Sequence, residues 1–429
     1  MSYYEIKRFG DVVVINPPVK LSKGVLYDFV SMEALNTGFK YVYPNQKREV
    51  GGGAKFREKD TLFARITPCL EHGKICQVKD LKGGIGFGST EFFVFSGKEG
   101  LTDNDFVYYL CLTEIVRKTA IASMVGASGR QRAQLDVIEN LELPIPDLPI
   151  QKKIASILCA FDDLIQNNLK RIKLLKEAAE LIYREWFVNL RFPGYENVKI
   201  LNGVPEGWKS LPLMEVIEQH IGGGWGNEVK DDKHNVGSWV IRGTDIPKLA
   251  SGDFANVPFR WQDFKQIISR KLDAGDIIFE VSGGSKDTGV GRSMIITKAI
   301  VEVLPGIKIC ASFCKKIKPK KDFAYLLSCT FSEWKKSSRI EVYEKQSASN
   351  IVNFNWSDFI RYEDVLIPNK EILNLFNENI GNISNLIGNL TLQINKFKQT
   401  RDLLLPKLMS GSIDLENLEI ETIKNQEYA

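Results

Sequence analysis

The chain has 429 residues, 44% of them hydrophobic and 26% charged, with a formal net charge of +4. That length allows roughly three domains with sizeable cores, and so weak a positive balance neither demands nor excludes nucleic acid. Seven cysteines without a CxxC pair and three histidines (His72, His220, His234) exclude an obvious zinc centre and point to reduced thiols in a cytosolic protein, while the sequence shows neither a signal-peptide pattern nor the ~18-residue apolar run of a membrane span.

Residues 1–145 alternate short apolar runs with Gly and Pro. DVVVINPP, DTLFARI, KICQV and EFFVF predict strands, and FVYYLCLTEIVRKTAIAS predicts a helix. The mixture argues for an α+β domain over residues 1–146. Asp147 and Pro149 then open a helix. Ile150, Ile154, Ile157, Phe161, Leu164, Leu169, Ile172, Leu175, Ala179, Ile182 and Trp186 recur every three or four positions, close to a heptad seam. The helix is expected over 147–190, a rod of roughly 60 Å. RFPGYENVKILNGVPEGW, rich in Pro, Gly and Asn, breaks it and reads as a linker over 191–207.

Residues 208–368 repeat the first domain's grammar. DAGDIIFEVSGG follows REKDTLFARITP, with Asp276 matching Asp60, and FAYLLSCTFSEWKKSS follows FVYYLCLTEIVRKT. A second long helix is expected over 369–410, with Asn369 as its N-cap and Gly411 as its stop. It repeats the first at a constant shift of 222 residues, from Ile150 against Ile372 to Lys176 against Lys398. The predicted seam residues Ile154, Phe161, Ile165, Ile172 and Leu175 therefore align in the repeat with Phe376, Ile383, Ile387, Ile394 and Phe397. Two long amphipathic helices in one chain need each other to bury their apolar stripes. The tail, 411–429, is acidic and expected to be partly ordered at best.

The motifs give no sign of chemistry. NPPV (Asn16–Val19) resembles the base-binding motif of adenine methyltransferases, but Val19 cannot stack on a base, and too few residues precede it for a cofactor-binding βα unit. GGGAKF, GGGWG and SGGSKDTGVG lack the spacing of a nucleotide-binding loop, although Lys286 and Arg292 in the third would suit a DNA backbone. GASGRQRAQ (Gly126–Gln134) is the densest base-reading candidate: Arg130 and Arg132 have the fork for guanine, Gln131 the amide for adenine, and Ser128 a hydroxyl. QSASNIVN, with Gln346, Ser349 and Asn350, is its counterpart in the second half. Arg65 and Arg242, beside the strand phrases, complete the candidate DNA contacts.

These landmarks resemble the specificity subunits of type I restriction–modification systems, the HsdS family, over essentially the whole chain. LPIPDLPIQKKIASILCAFDDLI (Leu143–Ile165) is similar to the family's LPxP turn followed by Gln-Lys-x-Ile-Ala. DTLFARITPCLEHGKICQV, GFGSTEFFVF, WVIRGTDI and GDIIFEVSGG resemble recurrent target-domain phrases. The second helix start, IPNKEILNLF, lacks the Gln-Lys signature, and the two polar loops match the family's Gly-Ser/Thr-Gln-rich loop only loosely. The resemblance implies an α+β fold with two globular target recognition domains joined by two long antiparallel coiled-coil helices, pseudo-two-fold symmetric.

It also implies a non-catalytic, cytoplasmic prokaryotic subunit with no membrane association. Each domain would read one half of a split site on double-stranded DNA. The partners implied are two methyltransferase subunits using S-adenosylmethionine and two motor-nuclease subunits using ATP and Mg; the chain itself takes no cofactor. The rival readings are an anti-restriction or methylation-only homologue of the same architecture, a coiled-coil scaffold with no DNA role, and a solitary methyltransferase.

Overall fold

The computed structural model describes residues 4–254, 256–284, 289–346 and 351–415. The chain divides into two compact units, Met1–Ile165 with Lys396–Ala429, and Gln166–Asn395. Each division falls inside a long helix, Leu148–Tyr183 or Lys370–Met409, so both helices contribute to both units.

In the first unit one sheet has the strand order Val13–Ile15, Phe92–Gly97, Thr61–Ala64, Ile75–Val78, Tyr41–Val42. Its inner strands read as unbroken apolar runs because both faces are covered. Phe63 and Phe95 face a core with Phe106, Leu110, Ile154, Leu158 and Leu408. Leu62, Cys76 and Val94 face a second core with Val30 and Phe56. That second core is closed by another sheet, ordered Gln46–Glu49, Leu26–Val30, Ile85–Gly88, Lys55–Arg57. Leu26–Val30 runs parallel to Ile85–Gly88 and approaches closely; a Cβ on Gly88 would lie 2.4 Å from the Val30 carbonyl oxygen.

The second unit repeats this wiring. Ile217–Gly222, Cys314–Pro319, Ile277–Glu280 and Ser293–Ile295 form one sheet in that order. Phe259–Asp263, His234–Ile241 and Ile307–Cys310 form the other, again with one antiparallel and one parallel pairing. Each unit also has a two-stranded clasp leading into a long helix: Glu5–Arg8 with Glu142–Ile145, and Lys209–Pro212 with Asp364–Ile367. The helices that follow start alike. Asp147 Oδ1 accepts the Ile150 amide at 3.1 Å, and Asn369 Oδ1 accepts the Ile372 amide at 3.0 Å. The second helix stops at Gly411 (φ +73°), where Ser412 N–H reaches Lys407 O and Gly411 N–H reaches Leu408 O.

Three expectations are corrected. The helix expected at FVYYLCLTEIVRKTAIAS is two, Asn104–Leu112 and Glu114–Ala122, separated at Thr113, whose ψ of 148° is extended. DVVVINPP is not strand throughout, because Phe9–Val12 makes a helical turn that buries Phe9 and Val12 before the strand Val13–Ile15. The linker 191–207 is structured: Tyr195–Asn197 is a helical turn, and Ile200–Leu201 pairs with Val204–Pro205.

Candidate nucleic-acid interface

In the first unit the polar loop GASGRQR is the tip of a hairpin. Val125 and Arg132 exchange backbone hydrogen bonds of 3.1 and 2.9 Å, and Gly129 (φ +75°) supplies the left-handed turn position. Ser128 and Arg130 are exposed and Gln131 is half-buried. The return arm lies beside the end of Thr61–Ala64, with Ala133 N–H on the Arg65 carbonyl at 2.8 Å and Arg65 N–H on the Glu91 carbonyl at 3.0 Å. This backbone geometry brings Arg65, Glu91 and Arg132 together. Arg132 forks onto Glu91 (Nε to Oε2 2.9 Å, Nη2 to Oε1 2.7 Å), and Arg65 Nε donates to Oε2 at 3.2 Å. The Arg132 hydrogen bonds, chiefly, hold the Glu91 carboxyl below the ordinary glutamate value, with Arg65 adding to the effect against partial burial. Two guanidiniums share one carboxylate, so the cluster keeps a positive excess on an accessible surface. In the sequence Glu91 only leads the strand phrase EFFVF, and its carboxylate ahead of an apolar run is the one local sign of this role.

The second unit has the same backbone at this place. Val281 N–H reaches the Phe313 carbonyl at 2.9 Å, and Phe354 N–H reaches the Val281 carbonyl at 2.8 Å. Ser282 pairs with Asn353 where Ile66 pairs with Arg132. The hairpin here is Glu344–Gln346 with Val352–Phe354. Gln346 is exposed on it, whereas Ser349, Asn350 and Lys286 lie outside the described residues. Arg65, Glu91 and Arg132 thus correspond to Val281, Phe313 and Asn353. The ion-pair cluster is replaced by an apolar and amide surface beside a recess of about 480 Å³ that includes Trp225, Thr244, Ser282 and Phe313.

Two other candidate arginines are engaged inside the unit. Arg242 forks onto Asp245 at 2.8 and 2.7 Å and donates to the Asn256 carbonyl at 2.8 Å. Arg292 grips the buried Glu280, Nε to Oε2 at 2.7 Å. Gly243, in the same WVIRGTDI phrase, leaves room for that carboxylate, since a Cβ would sit 2.1 Å from Glu280 Oε1. Hence Arg242 and Arg292 build the site's wall. Asn16 is likewise tied down, its Oδ1 accepting Val94 N–H at 3.0 Å.

The ten seam residues are buried or half-buried within their units. Ile154, Ile165, Ile172, Phe376 and Ile394 are nearly inaccessible; Phe161, Leu175, Ile383, Ile387 and Phe397 are half-buried. Phe161 meets Phe397 at 6.4 Å in the first unit, and Phe376 sits among Tyr183, Trp186 and Phe187 at 4.9 to 6.3 Å in the second. Leu164, expected in the seam, is 44% exposed. Gln151, the Gln of the helix-start phrase, is fully buried. Its Nε2 donates to the Leu101 and Pro146 carbonyls, both at 2.9 Å, and its Oε1 accepts Asp103 N–H at 3.1 Å. Asp103 in turn caps Asn104–Leu112. One amide side chain thereby fastens the long helix to the domain.

Among the described residues no group of His, Cys, Asp and Glu could hold a metal ion, and no helix is long and apolar enough to cross a membrane. The family profile for the type I restriction modification DNA specificity domain matches residues 1–177. Similar curated members are the MjaIX specificity subunit of Methanocaldococcus jannaschii, 25% identical over 75% of this chain and 71% of that one, and the HindI specificity subunit of Haemophilus influenzae, 22% identical over 89% and 93%. Among solved structures, the type I restriction–modification S subunit from M. genitalium covers 95% of this chain and 96% of its own at a TM-score of 0.51 and 12% identity, a likeness of fold. The profile over residues 1–177 and the similarity to curated specificity subunits together indicate a DNA specificity subunit of the type I restriction–modification kind.

Proposed function

We propose that residues 1–146 and 208–368 are two target recognition domains, each reading one half of a bipartite, asymmetric site on double-stranded DNA. The helices, over 147–190 and 369–410, act as one antiparallel coiled-coil rod with pseudo-two-fold symmetry and set the spacer between the half-sites. The observation that carries this reading is the duplicated wiring with diverged chemistry at its rim: identical backbone bonds present Arg65, Glu91 and Arg132 in one unit and Val281, Phe313 and Asn353 in the other. A shared frame with different readers suits two different half-sites.

The chain has no catalysis of its own. Two methyltransferase subunits dock on the helices and bring S-adenosylmethionine-dependent adenine methylation; two motor-nuclease subunits, using ATP and Mg, complete the complex in the prokaryotic cytoplasm. Leu174 and Leu181, seven residues apart and 63% and 58% exposed, support a docking face on the first helix. Modified-base sequencing of DNA from a host expressing the chain with its methyltransferase tests the reading: a split adenine-methylated motif is expected, and a continuous palindrome overturns it. Deleting one turn from both helices should shorten the accepted spacer by about one to two base pairs.

A further inference from the structure

The rim position matched between the two units carries an assignment of base class. In the first unit both Nη groups of Arg65 and Nη1 of Arg132 have no hydrogen-bond partner among the described residues, while Glu91 holds the Arg132 fork and, with the Phe93 ring, orients Arg65. Fixed, partly exposed guanidinium N–H groups suit the paired O6 and N7 acceptors of guanine. In the second unit neither matched residue offers such a fork, because Val281 stands for Arg65 and Asn353 for Arg132. Ser282 Oγ donates to Asn353 Oδ1 at 2.6 Å and orients the amide, whose Nδ2 has no partner among the described residues. Phe313, in the place of Glu91, is 61% exposed, and its carbonyl accepts both Val281 N–H and Ser282 N–H. An oriented amide suits the N7 and N6 edge of adenine, and an exposed phenyl suits the methyl group of thymine. Arg242, which lines the same recess, forks onto Asp245 and donates to the Asn256 carbonyl.

We propose that Asn353, oriented by Ser282, and Phe313 read an A·T pair in the second half-site, at the position where Arg65 and Arg132 read a G·C pair in the first. The assignment rests on the reading of both units as DNA readers and adds to it the residues and the base class.

The test uses the full chain expressed with its methyltransferase partner, and the motif is determined by modified-base sequencing and by methylation rates on duplexes changed one pair at a time. Phe313→Ala alters a solvent-exposed ring. It should leave the first half-site untouched and relax discrimination at one A·T pair of the second by roughly 5- to 150-fold. Asn353→Ala should relax the same pair. The triple change Val281→Arg, Phe313→Glu, Asn353→Arg rebuilds the first unit's cluster and should move that pair's preference toward G·C. If the wild-type chain yields a split motif that Phe313→Ala and Asn353→Ala both leave unaltered, the base assignment is wrong while the two-reader function stands. Equal weakening on every duplex likewise overturns it, because that marks a backbone contact. A wild-type chain with no split motif overturns the function itself.

Discussion

Against the helix Asn104–Leu112, the first unit buries an ion pair: Arg401 bonds Asp162, and Tyr109 donates to the same carboxylate at 2.5 Å. Both ionic side chains are under 5% exposed, and burial drives the Asp162 carboxyl upward even with Arg401 opposing it. The positions related by 222 residues in the second unit are Ser384 for Asp162 and Ala179 for Arg401. There a cavity of about 290 Å³ remains, lined among others by Ala179, Tyr325, Ile380, Ser384 and Ile387. One backbone plan thus tolerates a fully bonded ionic filling and an incompletely filled one of mixed apolar and hydroxyl lining. The ionic filling is exacting, since each partner makes the other indispensable. The incomplete filling is forgiving, since a cavity costs only lost contacts.

The comparison breaks most sharply at Arg401. Arg401→Met leaves a buried carboxylate and should cost the first unit about 3–5 kcal/mol, while adding Asp162→Leu restores much of that. All seven tryptophans lie in the second unit, so native-state hydrogen exchange reads the first unit and tryptophan fluorescence the second. A loss appearing first in fluorescence would contradict the assignment.

Next is Gln151. Replacing it by Leu, the type found at the matched position Leu373, strands two carbonyls and one amide and should cost about 2–3 kcal/mol. A near-neutral result in hydrogen exchange would mean the clasp adds nothing. Filling the cavity with Ala179→Leu should stabilise the second unit by about 0.5–2 kcal/mol in urea unfolding followed by fluorescence. Destabilisation would show that its walls cannot accept the added carbons.

The smallest effect is electrostatic. The folded state holds Glu91 below its ordinary carboxyl value, so its contribution is present above about pH 4.5 and is lost as pH falls through the lowered folded value. Glu91→Gln should remove this acid sensitivity from the first unit's hydrogen exchange. An unchanged acid profile would show that the cluster is not held by charge.

The long helices were legible because apolar residues recur at helical spacing and because Asp147 and Asn369 announce their starts. The inner strands were legible as continuous apolar runs. The outer sheet of the first unit was not: Gln46–Glu49 is exposed throughout and Ile85–Gly88 is half glycine, so neither carries a strand-like pattern. Nor was the rim. Arg65 meets a carboxylate 26 residues away and Arg132 the same one 41 residues away, a convergence that no local spacing encodes. The partners of Arg242 and Arg292 were equally hidden, since sequence shows each charge but not the Asp245 and buried Glu280 that it meets in the fold.

Because residues from 396 onward complete the first unit, a ribosome making this chain leaves that unit unfinished until the whole of the second has been made. Asp162 emerges 239 residues before Arg401, a delay of roughly 12–48 s at ordinary elongation rates. Throughout that interval the nascent first unit lacks the counter-charge for a carboxylate meant to be buried. The second unit, made of one uninterrupted stretch, closes first, so the order of maturation inverts the order of translation.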